Sequence, residues 1–512
     1  MAAPGVMSSS DKKESKSWLF INHPEHIRCH RISFLIFILE KISDLTRKNG
    51  YIKRSIIFHK RKVFMTLKWI VLAIAVLMYL LVIAFQDKKV WFTTASAVLL
   101  LVLGMCFPGQ IFRAEAGVVS AVADSSRWFP LTHTLGNLIN WNVLMIYVGA
   151  MTIAALFLYS KVPALIADVI VGSCRSTGVA VVMILALTGI ISIFVENVAT
   201  VLVMAPIALS ISKKLKINPV PFMIGLAVMS NLEGTATLVR DAPSMIFASY
   251  SGYTFNDFFI SQGKISVFFF IQAGLLVGCL YFYCFFAKYK DKSEVEKEPI
   301  ISWVPFILLL SMIFGLALIS FFSDGLTYIS GGFVLALGIV GVLWYIFSQK
   351  KNMSEVKELI FGLDWETIFF LMGIFVVVGA ISEAGLLNDL ALFLGRITNG
   401  NKLAGFILIL LVSILISGFV DNVPYIIVML PVAGNMAAQM NIAPELFMFA
   451  LLIGSCLGGN LTPYGASANV VAMGILKDEG HPVNFGGFLK IAAPFTILTT
   501  AAAAVSLWFV WG

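Results

Sequence analysis

The chain alternates between long apolar stretches and short polar connections, and the lengths of the apolar stretches predict its main elements. A helix rises about 1.5 Å per residue, so roughly 20 apolar residues cross the ~30 Å hydrocarbon core of a bilayer. Eight stretches reach or approach that length and contain few charged residues. We therefore predict membrane-spanning helices at 67–85, 90–107, 141–158, 265–286, 303–322, 327–347, 365–384 and 487–511.

Four further apolar segments are interrupted by polar residues, glycine or proline at membrane depth. Two of them carry an acidic residue followed by asparagine, at Glu196 and at Asp421. The other two carry the runs NLEGTATLVRDAPS and GGNLTPYGASAN. Such breaks leave backbone groups unpaired, which is tolerated only inside protein or beside a water-filled cavity. The four segments are 177–212, 219–250, 403–437 and 444–476.

An internal repeat relates these interrupted segments to one another. When the chain is shifted by 225 positions, 194–237 lies on 419–462 without a gap, and 17 of the 44 pairs are identical. About 4 identities are expected by chance between apolar sequences of this length. We predict a basic N-terminal tail at 1–64 that is an accessory or non-native extension, a first transporter repeat at 65–290 and a second repeat at 300–512.

The number of membrane crossings in each repeat predicts how the repeats are oriented. Each repeat has three spans, an acid-tipped helix pair, a broken helix and a closing span. If the acid-tipped pair is a re-entrant hairpin, the number of crossings is odd and the second repeat is inverted. Two short spanning helices are the alternative to each hairpin. The predicted fold class is all-α, a polytopic membrane protein of two inverted repeats with re-entrant hairpins and discontinuous helices.

Composition excludes a soluble domain, and charge predicts the orientation. Hydrophobic residues make up 59% of the 512 positions, charged residues make up 12%, and the mean hydropathy is +0.92. Sixteen loop lysines and arginines fall on the side of the first hairpin and five on the other, which predicts that this side is cytoplasmic and that the protein lies in the cell membrane. The same rule would place the basic N-terminal tail in the cytoplasm, whereas this topology places the tail outside. The net charge of +8 does not lead us to expect a nucleic-acid partner.

The acidic residues of the two interrupted pairs form the first candidate site. Ionisable side chains within membrane segments are costly and are by default functional. Glu196 with Asn197, and Asp421 with Asn422, could bind Na+ through carboxylate and amide oxygens, or the carboxylates could exchange a proton. Helix ends at a hairpin tip supply further N–H or C=O groups. The alternative is that each acid only caps its own helix.

The broken helices form the second candidate site. A break can hold a cation by carbonyl and hydroxyl oxygens or an anion at a half-helix N-terminus, and the alternative is a kink satisfied by neighbouring helices. Arg240 occurs only in the first repeat, where it either anchors an anionic substrate or neutralises Asp241 or Glu233. The candidate residues of the breaks are Gly234, Thr237, Asp241, Ser244, Gly459, Asn460, Thr462, Ser467 and Asn469.

Enzymatic classes are poorly supported by the sequence. No histidine lies in a predicted span, although an intramembrane acyltransferase or metalloprotease would need histidine with acidic or metal-binding partners. No GxxxxGK(S/T) phosphate loop is present, so we do not expect this chain to use ATP directly. A partnership with a separate ATPase subunit is an alternative. We predict no enzyme activity and no cofactor apart from Na+ or H+ as a coupling ion.

Two pairs of motifs resemble the ion transporter superfamily. They are ENVATVLVMAPIAL with NLEGTATLVRDAPS, and DNVPYIIVMLPVAGNM with GSCLGGNLTPYGASANVVAMGI. Over 65–512 the pattern is similar to the arsenical pump membrane proteins, the NhaD-type sodium/proton antiporters and the melanosomal P protein. The sodium-coupled dicarboxylate and citrate carriers are more distant. The resemblance implies a homodimer whose scaffold domain supports a transport domain that moves as an elevator.

Two departures from the superfamily pattern bear on the substrate. The dicarboxylate carriers have a Ser-Asn-Thr triplet at each tip, whereas Glu196 and Asp421 stand in place of the serine here, and two acids would repel a dicarboxylate. The run 240–244 lacks the last asparagine of the Gly-Asp-Pro-Pro-Asn pattern common in relatives. The run 465–469 keeps the first glycine and the last asparagine, so the resemblance favours a cation site in the second repeat.

These observations together predict a secondary active transporter of a small ion or anion. The substrate is either Na+ exchanged for H+ or an inorganic or organic anion such as arsenite or citrate. A passive ion channel that uses the same mid-membrane polar groups is the alternative. The predicted partners are this substrate, the lipid bilayer and a second copy of the chain.

Overall fold

Helices make up most of the described chain. The computed structural model describes residues 50–85, 88–112, 127–215, 217–290, 299–322 and 328–512. The helices, numbered in chain order, are α1 Gly50–Ala84, α2 Lys89–Cys106, α3 Phe129–His133, α4 Trp141–Tyr159, α5 Val162–Ser173, α6 Thr177–Ser192, α7 Asn197–Leu215, α8 Val220–Glu233, α9 Ala242–Ser251, α10 Val267–Phe286, α11 Val304–Phe322, α12 Ile329–Phe347, α13 Met353–Phe361, α14 Trp365–Glu383, α15 Leu386–Ile397, α16 Lys402–Ser417, α17 Asn422–Gln439, α18 Glu445–Gly458, α19 Ser467–Asp478 and α20 Phe485–Trp511. A π-helical turn, Thr134–Leu138, follows α3, and single 3₁₀ turns lie at Asn256–Phe258 and Gly459–Leu461.

Eight of these helices are long and apolar enough to cross a membrane within the described ranges. They are α1 from Thr66 onwards, α2, α4, α10, α11, α12, α14 and α20. Each offers at least 18 residues, which corresponds to about 27 Å of helix. The eight spans predicted from hydropathy are therefore confirmed, and the chain is an integral membrane protein.

A short β-hairpin contradicts the all-α prediction in one detail. Strands β1 (Ile260–Ser261) and β2 (Lys264–Ile265) pair antiparallel between α9 and α10. The two residues between them, Gln262 and Gly263, both have positive φ, at 52° and 74°. Two consecutive left-handed residues match the twist of a tight hairpin, so the turn allows this pairing despite strands of only two residues. The rest of the described fold is helical.

Several helices were not predicted because they lack the long apolar run by which a membrane span is recognised. Helices α5, α13 and α15 are short, and α13 and α15 mix apolar with polar positions. The sequence did contain a signal for α13, because Asn352 and Glu355 form a capping box at its start. Helix α1 begins at Gly50, well before the predicted first span.

The chain divides into two units at residues 66 and 67, and the structure describes residues 50–66 of the first unit. Residues 1–49 of the predicted tail lie outside the described residues. The second unit contains all the candidate site residues. The predicted division of this unit into two repeats, at 65–290 and 300–512, stays a prediction.

Within the second unit, helices of matching length recur at the spacing seen in the sequence. Helices α4 and α14 both have 19 residues and begin 224 positions apart, and α6 and α16 both have 16 residues and begin 225 positions apart. The residues that turn α4 into α5 and α14 into α15 are Lys161 and Gly385, and both are left-handed, with φ of 60° and 75°. Lysine is uncommon in the left-handed conformation. The conformation of Lys161 is therefore better explained by a turn that matches the one at Gly385 than by the local preference of lysine.

Two glycines at matching positions of α4 and α14 allow close helix packing. A Cβ at Gly149 would lie 2.6 Å from the backbone carbonyl carbon of Val334 on α12, and one at Gly373 would lie 2.9 Å from Cγ2 of Thr93 on α2. Each third span therefore packs tightly on a second span that the sequence assigns to the other repeat. Small residues allow this approach where lipid gives no hydrophobic driving force between helices.

Replacing Gly149 by alanine should destabilise the protein, because the neighbour is backbone and cannot move aside. We expect a cost of about 1–3 kcal/mol, in the range for overpacked sites. Thermal unfolding in detergent, followed by intrinsic fluorescence, would show a lower Tm. The matched control is Gly172→Ala on α5, where the new methyl group meets open space and the Tm should stay unchanged or rise. Equal Tm values for the two variants would contradict the packing account.

Candidate functional site

A polar cavity of about 170 Å³ lies where the interrupted helices meet. Its walls come from the starts of α2, α7, α14 and α17, and from the breaks before α9 and α19. This volume is enough for several water molecules. Six of the predicted site residues line it, namely Glu196, Asn197, Asp241, Asp421, Asn422 and Ser467.

The two tip acids both cap their own helices and face the cavity. The Ala199 amide donates a hydrogen bond to Oε2 of Glu196 at 3.0 Å, and the Val423 amide donates to Oδ1 of Asp421 at 3.1 Å. The local capping expected as the alternative is therefore present. Each of these bonds engages one carboxylate oxygen, and both side chains are only half-buried. Capping thus leaves both acids available to a ligand in the cavity.

The side chains that line the cavity carry predominantly negative charge, while the Arg240 guanidinium lies behind the lining, close enough to interact with Glu196 and Asp241. Among its described lining residues are four carboxylates, from Glu196, Asp241, Asp364 and Asp421, and a single ammonium, from Lys89. Lys89 Nζ lies 3.4 Å from Oδ2 of Asp421. Neither Lys89 nor Asp364 was predicted from the sequence as part of the site, because Lys89 was counted among the loop lysines and because Asp364 lies one position before the predicted span 365–384.

An asparagine at the end of α8 connects the two interrupted regions. Asn197 Nδ2 donates to Oδ1 of Asn231 at 2.7 Å. Asn231 Nδ2 in turn donates to Oδ1 of Asn460 at 2.8 Å and to Oδ1 of Asn469 at 3.0 Å. Asn231 lines the cavity but was not predicted. It stands inside the run NLEGTATLVRDAPS, and an amide in an otherwise apolar helix was the signal that could have found it.

The threonines of the two breaks make matching hydrogen bonds. Thr237 Oγ1 donates to the Ile193 carbonyl at 3.0 Å, and Thr462 Oγ1 donates to the Gly418 carbonyl at 2.5 Å. Ile193 and Gly418 are the residues that follow α6 and α16. Each break is thus tied to the end of the first helix of its own interrupted pair. In the described structure neither threonine lines the cavity, so their visible role is to position the breaks.

The next matching pair of residues also holds the breaks together. Ser244 Oγ donates to the Thr235 carbonyl at 3.4 Å. Its counterpart Asn469 donates to the carbonyls of Gly459 and Thr462, at 3.0 and 2.9 Å. These bonds satisfy carbonyls that the interrupted helices leave free. The larger amide of Asn469 makes two such bonds where the serine makes one, and the cation site that the resemblance favours in the second repeat stays a prediction.

Arg240 is buried against Gly234 and does not line the cavity in the described part of the chain. A Cβ at Gly234 would overlap the guanidinium, so only glycine gives Arg240 this position. Nη1 donates to the Ser230 carbonyl at 3.2 Å. Within the described residues, neither Asp241 nor Glu233 comes within the 4.0 Å of an ion pair with the guanidinium. The second predicted glycine, Gly459, instead packs against the backbone before α19.

A fully buried acid lies apart from the cavity. Gln272 Nε2 donates to Oε2 of Glu233 at 2.7 Å, while Oε1 of Glu233 has no hydrogen-bond partner. Glu233 was named from the sequence only as a partner for Arg240. Among the described residues, no group of three or more His, Cys, Asp or Glu side chains could hold a metal ion. A cation in the cavity would therefore need amide, carbonyl or water oxygens beside the carboxylates.

Spanning helices that surround a charged cavity at helix breaks are features of a membrane transporter. The sequence profile of the CitMHS family, described as citrate transporter, matches residues 128–454 and 334–512. The chain therefore belongs to the CitMHS citrate transporter family, within the ion transporter superfamily that its motifs resemble. It is an integral protein of the cell membrane.

Named relatives and a solved structure agree with this assignment. An uncharacterized transporter of Mycobacterium tuberculosis is 32% identical over 382 residues, which cover 73% of this chain and 88% of the relative. The P protein of Homo sapiens is 24% identical over 405 residues, which cover 62% of this chain and 47% of the P protein. The crystal structure of the YdaH transporter of Alcanivorax borkumensis superposes with a TM-score of 0.56 at 15% identity, covering 81% of this chain and 97% of that one. This last similarity concerns the fold alone.

Proposed function

We infer that the chain is a secondary active transporter that binds a cation in the cavity and exchanges Na+ for H+. The observation that carries this inference is the set of four carboxylates around one ammonium, with an acid from each interrupted pair. Four carboxylates against one ammonium leave an excess of negative charge on the lining, and this excess attracts a cation. Asn197 and Asn422 add amide oxygens of the kind that a hard cation prefers.

The transport mechanism we propose is an elevator built on two inverted repeats. Matching helix lengths, matching left-handed turns and matching threonine bonds support a duplicated unit. Helices α6 and α16 have 16 residues each, or about 24 Å, which is short for a full crossing and favours re-entrant hairpins over separate spans. The hairpins and breaks would move together against the remaining spans. We also propose that the protein is a homodimer, as its resemblance to the superfamily implies.

We further propose that the cavity opens to the cytoplasm in this structure. Lys89 and Asp364 line it at the starts of α2 and α14. The loop lysines and arginines place both of these helix starts on the cytoplasmic side. Alternating access requires an end state in which the binding site is exposed to one side of the membrane only, and a cavity open to the cytoplasm would be such a state.

An anion is the second candidate substrate, and the family description as citrate transporter favours it. The negative lining would repel free citrate, which carries several carboxylates. Citrate would therefore need to enter with bound cations that neutralise it. Arg240 is the remaining candidate anchor for such an anion, but a rearrangement would have to bring its guanidinium from beside Gly234 into the cavity.

The experiment that tests the proposed function measures proton movement in proteoliposomes. An inward Na+ gradient should drive H+ out against a pH gradient, and a pH-sensitive dye inside the vesicles would report it. Uphill movement requires coupling and excludes a passive channel. Radiolabelled citrate in the same vesicles tests the second candidate. Citrate uptake without any effect of Na+ on pH would replace cation exchange with anion transport.

A further inference from the structure

Lys89 is a basic side chain placed among acids that belong to other helices. It stands at the first position of α2, and its Nζ lies 3.4 Å from Oδ2 of Asp421, at the start of α17. Nζ also lies 5.4 Å from the centre of the Phe370 ring on α14. The side chain is 21% exposed, so the ammonium reaches the water of the cavity. The aromatic ring and the acid together hold this cation at the cavity wall.

The ammonium lies against the Asp421 oxygen that does not cap α17. Asp421 Oδ1 accepts the bond from the Val423 amide, and Oδ2, the oxygen left for another partner, contacts Lys89. The other acids facing Lys89 are Asp364 and Glu366 of α14, which lie near the start of that helix. A separation of 3.4 Å is long for a charge-assisted hydrogen bond, so another cation can replace this contact.

We propose that Lys89 is an internal competitor for the cation at Asp421, an inference that rests on the proposed cation-binding function. When the cavity is empty, the ammonium neutralises Asp421. A cation that binds there must displace the ammonium, and repulsion between the two then helps to release the cation. Lys89 is therefore a positioning residue that sets the affinity and release rate of the cation, and it does not carry the cation itself.

Removal of the ammonium should have opposite effects on binding and turnover. In Lys89→Gln the cation should bind about 10-fold more tightly, as expected when a competing charge is removed from a partly buried site. The maximal exchange rate should fall because release becomes slower. Lys89→Arg keeps the charge, so its affinity and exchange rate should lie closer to wild type than those of Lys89→Gln. The adjacent Lys88 is exposed and absent from the described lining, so Lys88→Gln is the matched control and should change neither quantity.

The experiment measures equilibrium binding of radiolabelled Na+ to purified full-length protein, with exchange rates in proteoliposomes alongside. Size-exclusion profiles and Tm values confirm that each variant is folded. If Lys89→Gln loses its fold, Lys89→Met, which keeps the length of the stem, takes its place. In a protein that already carries Asp421→Asn, adding Lys89→Gln should give no gain in affinity, because the carboxylate for which the ammonium competes is absent.

The outcomes separate the two proposals. An unchanged or weakened affinity in Lys89→Gln overturns the competitor role while leaving cation exchange in place. Wild-type protein and a Lys89→Gln variant that both bind no Na+ overturn the proposed function, and the competitor role, which rests on it, is overturned as well.

Discussion

Replacing Glu196 by glutamine, or Asp421 by asparagine, should reduce Na+/H+ exchange by at least about 100-fold. Such a loss corresponds to roughly 2.7 kcal/mol of binding or activation free energy, the size expected when one of two partly buried carboxylates no longer attracts the cation. The amide keeps an oxygen in the position that accepts the capping bond from Ala199 or Val423. The substitution therefore removes the charge but preserves the cap.

The controls use the same chemical changes at exposed positions. Glu358→Gln on α13 and Asp478→Asn at the end of α19 alter acids that lie away from the cavity, and they should leave exchange within about 2-fold of wild type. Exchange would be followed with the pH-sensitive dye in proteoliposomes of equal protein content. If the tip variants transport normally, the acids serve only as helix caps and the cation site lies elsewhere.

Replacing Asn231 by leucine should abolish transport and also destabilise the protein. Asn231 accepts from Asn197 and donates to both Asn460 and Asn469. Leucine has a similar volume but leaves the amides of Asn197, Asn460 and Asn469 each without one hydrogen-bond partner, and the last two are fully buried. Each unsatisfied buried group costs about 1–3 kcal/mol, and because such losses are not additive we expect a total of about 2–5 kcal/mol.

The measurements for Asn231→Leu are the Tm in detergent and the exchange rate in proteoliposomes. Asn388→Leu on α15 is the matched control, because that side chain is exposed and should tolerate the change. A combined loss of stability and transport indicates that the hydrogen bonds of Asn231 hold the two interrupted regions in the relative position that transport requires. Normal transport in a folded Asn231→Leu protein would mean that the network is not needed for function.

The spans of this protein could be predicted because membrane helices obey a simple length rule. An apolar run such as the one in α11 has few other structures available in lipid, since every backbone group must be paired internally. The internal repeat then identified the interrupted pairs and both tip acids. These features are local in sequence, and for that reason they could be found without the structure.

The contacts that assemble the cavity were beyond sequence reasoning. Lys89 and Asp421 are more than 300 positions apart, and the pairing between them has no counterpart in the other repeat. Asn231 aligns with Cys456 in the repeat comparison, so the duplication gave no hint of its role. Thr237 and Thr462 were correctly matched to each other, but only tertiary packing shows that their hydroxyls point at carbonyls and not into the cavity.

The short elements were missed for a different reason. Helix α15 is amphipathic and α13 begins with a capping box, and both signals are weaker than a continuous apolar run. The β-hairpin at Gln262 and Gly263 depends on two left-handed residues, and only one of them is glycine. A glutamine in this conformation is held by its surroundings, which the sequence does not reveal.

Binding of radiolabelled Na+ to the purified protein is the most direct test of the central claim, that acids from both interrupted pairs form one cation site. We predict saturable binding in the wild-type protein and its loss in the Glu196→Gln, Asp421→Asn double variant, with the Tm of the variant unchanged. Saturable binding that survives in the folded double variant would contradict the account.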